Sequence, residues 1–306
     1  MALRFIFQYP ETTGSDADML RAGPLDEVAA AAERCGFDGL ALTDHPIPGN
    51  RWLHAGGHQS LEPFVGLSFA AAATERLRLL TYLAVAPYRN PALLAKAAAT
   101  LDKVSNGRFT LGVGVGYNKS EYRALGVDFD ERNTLFEEAL DVLPLHWRGE
   151  PYSYEGTHFS AREVIALPKP VQDPIPIWIG GNAKVTRRRV AERAQGWMPM
   201  VGSPELSKTA RTPVVSSPAA VAELLSEIKA MAAEAGRTDP IDCLYAYFTG
   251  GSLLADPDRH REALAEIEAA GCTWVAVSTE STELAETVGF LEEFGATHLG
   301  SAAAPR

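Results

Sequence analysis

Cysteine is scarce in this sequence of 306 residues: Cys35, Cys243 and Cys272 are the whole set, with no CxxC spacing. An odd, sparse set excludes a disulfide scaffold and suits a reducing, cytoplasmic compartment. Each falls at a helix end or in an expected strand, where a small buried hydrophobe is the reading. Basic residues are also in deficit, with 28 Lys and Arg against 39 Asp and Glu, a net charge of −11. Such a chain is a poor partner for nucleic acid, whose phosphates need clustered cations. A local basic patch for a small anionic cofactor stays open. Long apolar runs are missing too. The longest, near residues 79–87, falls well short of the roughly 20 residues of a membrane span. The opening MALRFIFQYPETTG has neither a basic region nor a long apolar stretch, so no export signal is read there.

What is present is ordinary globular composition, 46% apolar and 22% charged, arranged as short apolar runs alternating with amphipathic ones. Leu3–Gln8 reads as a strand. Pro24 opens a helix whose stripe is Leu25, Val28, Ala29 and Ala32. Gly36 stops it, and Gly39–Thr43 is a second strand. Arg78–Ala84 is the third, before a helix capped by Asn90 with Pro91 in its first turn. Phe109–Gly114 is the fourth, Ile177–Gly180 the fifth and Gly196–Pro199 the sixth. A helix over Lys184–Ala194 separates the last two. Ser217-Pro218 opens a helix before the seventh strand, Cys243–Phe248. Asp256-Pro257 opens the next helix, before the eighth strand, Thr273–Ser278. Ser281 is expected to cap a final helix. The strands are apolar on both faces, as a parallel sheet covered by helices requires. Eight such units favour a closed (β/α)8 TIM barrel, one domain over 1–306. Residues 147–176 break the rhythm as an irregular insertion between the fourth helix and fifth strand, either a functional cover or an arm packed on the barrel. Residues 295–306 read as a loose tail.

Barrel active sites lie at the C-terminal ends of the strands. After the second strand come Asp44 and His45, a pair able to supply a general acid or base. The loop beyond holds Arg51, Trp52, His54 and His58. The i, i+4 histidines have metal spacing, but no carboxylate or cysteine completes a site, so no metal is expected. Trp52 and His54 are candidates to face the substrate. The fourth strand ends in the glycine run 112–118, which either lets a flat ring approach the backbone or serves tight strand packing. It is not a dinucleotide fingerprint. The fifth ends in Gly180-Gly181-Asn182-Ala183, running into a helix with Lys184 and Arg187–Arg189. A glycine turn at a helix N-terminus suits a phosphate. Gly250-Gly251, after the seventh strand, suits one equally.

Taken together these segments resemble the luciferase-like monooxygenase superfamily, a flavin- and deazaflavin-using barrel family. The resemblance runs through CGFDGLALTDHP at 35–46, NPALLAKAAATLDKVSNGRFTLGVGVGYNKSEY at 90–122, PIPIWIGGNAK at 174–184 and AQGW at 194–197. Asp44-His45 is similar to the aspartate–histidine pair of members that use coenzyme F420, an 8-hydroxy-5-deazaflavin. The resemblance implies an F420-dependent oxidoreductase moving a hydride between deazaflavin C5 and a small organic substrate. An FMN-dependent monooxygenase is the alternative, and a non-catalytic cofactor-binding protein a second one. It implies that His45 stands by the reactive edge of the ring and that Asp44 binds the ring or fixes His45. A bulge with a non-prolyl cis peptide at about Tyr82-Leu83, beside Thr81, would back the ring. Gly114, Gly116 and Tyr117 would line it. Gly180, Gly181, Asn182, Ala183 and Lys184 would take the phosphate. Trp197 joins Trp52 and His54 as a substrate-side candidate, and a homodimer is expected. Tyr82 and the turn VGYN depart from the family's sugar-phosphate dehydrogenase, which argues against glucose 6-phosphate as substrate.

Overall fold

The computed structural model describes residues 2–11, 18–248 and 255–299. Its strands are β1 (Arg4–Gln8), β2 (Gly39–Leu42), β3 (Arg78–Thr81), β4 (Ala84–Val85), β5 (Phe109–Gly114), β6 (Tyr152–Glu155), β7 (Ser160–Val164), β8 (Ile177–Gly180), β9 (Gly196–Met198), β10 (Asp242–Ala246) and β11 (Trp274–Val277). Its α-helices are α1 (Leu25–Arg34), α2 (Asn50–His54), α3 (Pro63–Ala73), α4 (Pro91–Val104), α5 (Lys119–Ala124), α6 (Arg132–Trp147), α7 (Lys184–Arg193), α8 (Pro204–Thr209), α9 (Pro218–Glu234), α10 (Pro257–Ala269) and α11 (Leu284–Phe294).

The parallel order β3-β2-β1-β11-β10-β9-β8-β5 closes on itself where Leu79 pairs with Phe109. This is an eight-stranded (β/α)8 barrel, as the alternation implies. β4 is a short ninth segment continuing β3 beside β5. Both faces of the sheet are covered, which is why its strands read as unbroken apolar runs. Inside, Ile6, Ala41, Leu80, Trp178, Met198, Leu244, Trp274 and Ala276 fill the barrel. Outside, the helices bury a larger cluster against the sheet. Caps set helix starts: Asn90 accepts from the Ala92 N–H at 2.9 Å, Ser217 from Ala220 at 3.2 Å and Asp256 from Arg259 at 3.2 Å. Each such cap contributes about 1 kcal/mol. The cysteines are free, with Cys243 and Cys272 buried and Cys35 half-buried.

Three expectations change, and the insertion takes one of its two readings. The third strand is not continuous. It breaks at a cis peptide between Tyr82 and Leu83, where the resemblance placed one. Ser281 does not cap the last helix, which starts at Leu284 behind Glu283 without a side-chain cap. The tail is helical as far as Leu299, which packs on the core. Residues 300–306 lie outside the described residues. The insertion is an arm on α6. Its antiparallel hairpin β6–β7 is pinned by Glu138, which accepts the N–H groups of Thr157, His158 and Phe159 at 3.0–3.1 Å. A buried carboxylate with that many donors is satisfied without a counter-ion. No helix among the described residues is long and apolar enough to cross a membrane.

Candidate active site

Parallel strands deliver their C-terminal ends to one pole, so the loops after β1, β2, β5 and β8 share a mouth. His45 leaves β2 there, held by its backbone N–H, which donates to Ser60 Oγ at 2.6 Å. Its Nδ1 lies 3.1 Å from Oε2 of Glu121, a wholly buried residue of α5. Glu121 also accepts the Tyr88 hydroxyl at 3.1 Å and the Ile47 N–H at 3.4 Å. A buried carboxylate persists only with such partners. Here it places the ring proton on Nδ1 and leaves Nε2 as the nitrogen free to exchange one. Trp52 covers the imidazole at 4.5 Å between ring centroids, and Tyr117 approaches at 6.1 Å. Burial, then Glu121, pushes the Tyr117 phenol up to about 12, so it is a hydrogen-bond donor at any working pH.

A second imidazole meets the first. His58 stands edge-on to His45 at 4.9 Å and 89°. Its Nδ1 is 3.2 Å from Oε2 of Glu11, just past the end of β1. Glu11 accepts the Thr43 N–H at 3.1 Å and also the Thr43 hydroxyl. Burial raises its carboxyl from 4.5 to about 7, with the Thr43 hydrogen bonds opposing. The fold therefore favours the neutral acid. Its stabilising share is present at low pH and is lost as pH climbs from about 4.5 through about 7. Glu11→Gln is accordingly expected to match the wild type near pH 5 and to exceed it by ~2–3 kcal/mol near pH 8. Urea denaturation at the two pH values checks this, and equal differences at both would contradict it.

Asp44 is not aimed at His45. It is buried, and it accepts the Val85 N–H at 2.9 Å and both terminal nitrogens of Arg89, one at 3.0 Å. Its role is to tie β2 to the segment after the bulge. Tyr82 and Leu83 cover the inner-barrel cluster on the side of the strand ends. A Cβ on Gly180 would sit 2.2 Å from Leu83 Cδ2, and one on Gly114 2.8 Å from Cδ1. Both positions therefore require glycine to admit Leu83. A Cβ on Gly116 would likewise meet Val85, at 2.6 Å from Cγ1.

The turn after β8 opens on the same pole. α7 begins at Lys184 with no side-chain cap. The first N–H groups of a helix have no intrahelical acceptor, and they carry the positive end of its dipole. Lys184 is exposed beside them. The Gly181 N–H is already taken by Met198 at 3.1 Å. Asn182 is not a phosphate ligand: it is buried, its N–H goes to Thr212 Oγ1, and its amide binds Met200 and Pro213. Arg189 pairs with Glu137, away from the turn, whereas Arg187 pairs with Glu227 and reaches back to donate to the Asn182 carbonyl at 2.6 Å. The competing turn Gly250-Gly251 lies outside the described residues.

Three further candidates move away from the mouth. Thr81 is buried and donates to the Gly112 carbonyl at 2.8 Å, bridging β3 and β5. Trp197 is buried in the outer core and donates from Nε1 to the Gly181 carbonyl at 2.9 Å. It shapes the turn and cannot meet a substrate. His54 is exposed at the end of α2, and the histidine that joins His45 is His58. Glu11, Glu121, Tyr88 and Arg89 are the functional neighbours that pattern reading passes over. Glu11 carried a usable signal, since it follows a barrel strand directly. Glu121 carried only its place in the quoted block 90–122. Among the described residues no group of three His, Cys, Asp or Glu is placed to hold a metal ion.

A parallel eight-stranded barrel with this mouth defines the class, and comparison with known proteins gives the family. The chain belongs to the luciferase-like monooxygenase family, whose model matches residues 4–299. An F420-dependent glucose-6-phosphate dehydrogenase of Beutenbergia cavernae is 31% identical over 309 residues, covering 94% of this chain and 89% of that one. An uncharacterized protein of Mycobacterium tuberculosis is 35% identical over 156 residues, 51% of this chain, and the match spans 54% of that relative's length. The solved oxygenating constituent of the Pseudomonas putida 3,6-diketocamphane monooxygenase, in complex with FMN, shares the fold with a TM-score of 0.77. It is 16% identical, with 100% of each chain covered.

Proposed function

We propose that this chain is a coenzyme F420-dependent oxidoreductase that moves a hydride to or from a small organic substrate. The observation that carries it is the imidazole of His45, fixed by buried Glu121 at the rim of the barrel. The F420-dependent relative, alike over nearly the whole chain, supports the deazaflavin in preference to FMN. The residues present fit such a group. Leu83 would supply an apolar floor, the His45–Trp52 pair a wall, and the uncapped start of α7 with Lys184 donors to a phosphate.

When bound, a deazaflavin supplies a ring carbon that accepts or returns a hydride. His45 exchanges the accompanying proton at Nε2, and Glu121 stabilises the imidazolium that forms on uptake. Trp52 and Tyr117 narrow the mouth and limit the entry of water. The test is a pair of titrations of the purified protein, one with coenzyme F420 and one with FMN, followed by absorbance and fluorescence. F420 is expected to bind at least ~10-fold more tightly, a difference of about 1.4 kcal/mol. Tighter FMN binding would replace this reading with the flavin monooxygenase.

We also propose that the protein works as a homodimer. α3 and α4 pack side by side, and their outward faces expose Val65 by 62%, Phe69 by 60% and Leu93 by 69%. A helix that is apolar all round suits burial on both sides. Phe69→Lys is expected to convert a dimer to a monomer by light scattering. A wild-type monomer, or an unchanged dimer in the variant, would contradict it.

A further inference from the structure

The mouth holds two carboxyl–imidazole pairs, and the proposed reaction uses only one. Glu121 and His45 are that one, with side chains 0% and 11% exposed. The other, Glu11 and His58, is built differently. The Glu11 side chain is 5% exposed while that of His58 is 27% exposed. Oε1 of Glu11 is occupied by Thr43, but Oε2 has no well-aligned hydrogen bond and looks onto His58 Nδ1 at 3.2 Å. That same Nδ1 lies 3.0 Å from the Gln59 carbonyl. The groups facing the pair are His45, Glu121 and Trp52 around His58, and Thr43 and Gln8 around Glu11.

We propose that Glu11 and His58 hold one proton in common, His58 acting as the positioning residue that links the buried carboxyl to solvent. The pair then takes up the proton released at the neighbouring site, or supplies the one consumed there. Its link to turnover rests on reading the mouth as a redox site; the sharing itself does not. In uptake, a proton reaches Nε2 of His58 and the proton on Nδ1, held between the Gln59 carbonyl and Glu11, passes to Oε2 of the Glu11 carboxylate, so one proton is stored as the neutral acid with no change of oxidation state. In supply, the steps reverse. The tendencies of the two groups agree with sharing. Burial holds the carboxyl toward its neutral form, and burial with the nearby His45 does the same for His58. The pair therefore titrates as a unit, net neutral with the shared proton and singly negative without it.

The test is a pH titration of the cofactor-free full chain by NMR, with labelled Glu side-chain carboxyl and His ring nuclei, in wild type and three variants. In the wild type the Glu11 and His58 signals are expected to move together through shared steps. In His58→Phe, which keeps a ring but no donor, the Glu11 titration is expected to rise by about one unit. In His58→Gln, whose amide can still donate, the rise is smaller. In Glu11→Gln the His58 titration falls further. Should His58→Phe fail to fold, His58→Gln and Glu11→Gln still decide the matter. Independent titrations, or Glu11 curves that coincide in wild type and both His58 variants, would overturn the proposal. Because no cofactor is present, these outcomes are separate from success or failure of the F420 titration.

Discussion

His45→Ala is expected to lower turnover by about 10²–10⁴ while changing the dissociation constant of the cofactor by less than about threefold. The asymmetry follows from where the imidazole sits. It is held by Glu121 and Ser60 and roofed by Trp52, while the donors suited to a cofactor phosphate belong to α7, on another loop of the mouth. Removing the ring takes away the proton exchange and leaves the anchoring groups in place. Glu121→Gln should fall in the same direction by less, because an amide can still orient the ring but cannot neutralise an imidazolium. Steady-state kinetics with binding measured separately decides this. Turnover in His45→Ala equal to that of the wild type would remove His45 from the chemistry.

The second large effect is on stability. Arg89→Met is expected to cost ~3–5 kcal/mol, read by urea denaturation, because it strands the buried carboxylate of Asp44 with little more than the Val85 N–H. Methionine keeps much of the apolar stem of Arg89 and loses only a distant guanidinium contact with the Phe64 ring at 5.7 Å, so lost packing is a minor part of the effect. The pair can be separated from generic damage. Adding Asp44→Asn to Arg89→Met removes the stranded charge and should recover more than half of the loss. Additive losses in the double variant would mean that the ion pair is not what ties β2 to the bulge.

The contrast between these two neighbours shows what a sequence can carry. Asp44 and His45 are adjacent and look like one functional unit. The fold sends one inward to a structural arginine and the other to a glutamate 76 positions away. Spacing along the chain holds no record of such pairings. His58 shows the same limit, since its i, i+4 partner His54 faces solvent while its real partner lies on a different barrel loop. Strands were legible because a parallel barrel buries both faces, leaving continuous apolar runs. α3 was not, because PFVGLSFAAAA has no polar face for a period to reveal. The break after Thr81 was legible through the family resemblance alone. The glycines at 114 and 180 were noticed for a ligand, and their immediate reason is Leu83.

The central claim is that the imidazole of His45, the floor at Leu83 and the start of α7 belong to one cofactor site. A crystal structure of the protein with coenzyme F420 tests it most directly. The account requires density for the deazaflavin over Leu83 and beside His45, with the phosphate at the first turn of α7. Density at any other place on the barrel, or a phosphate bound far from Lys184, would contradict it.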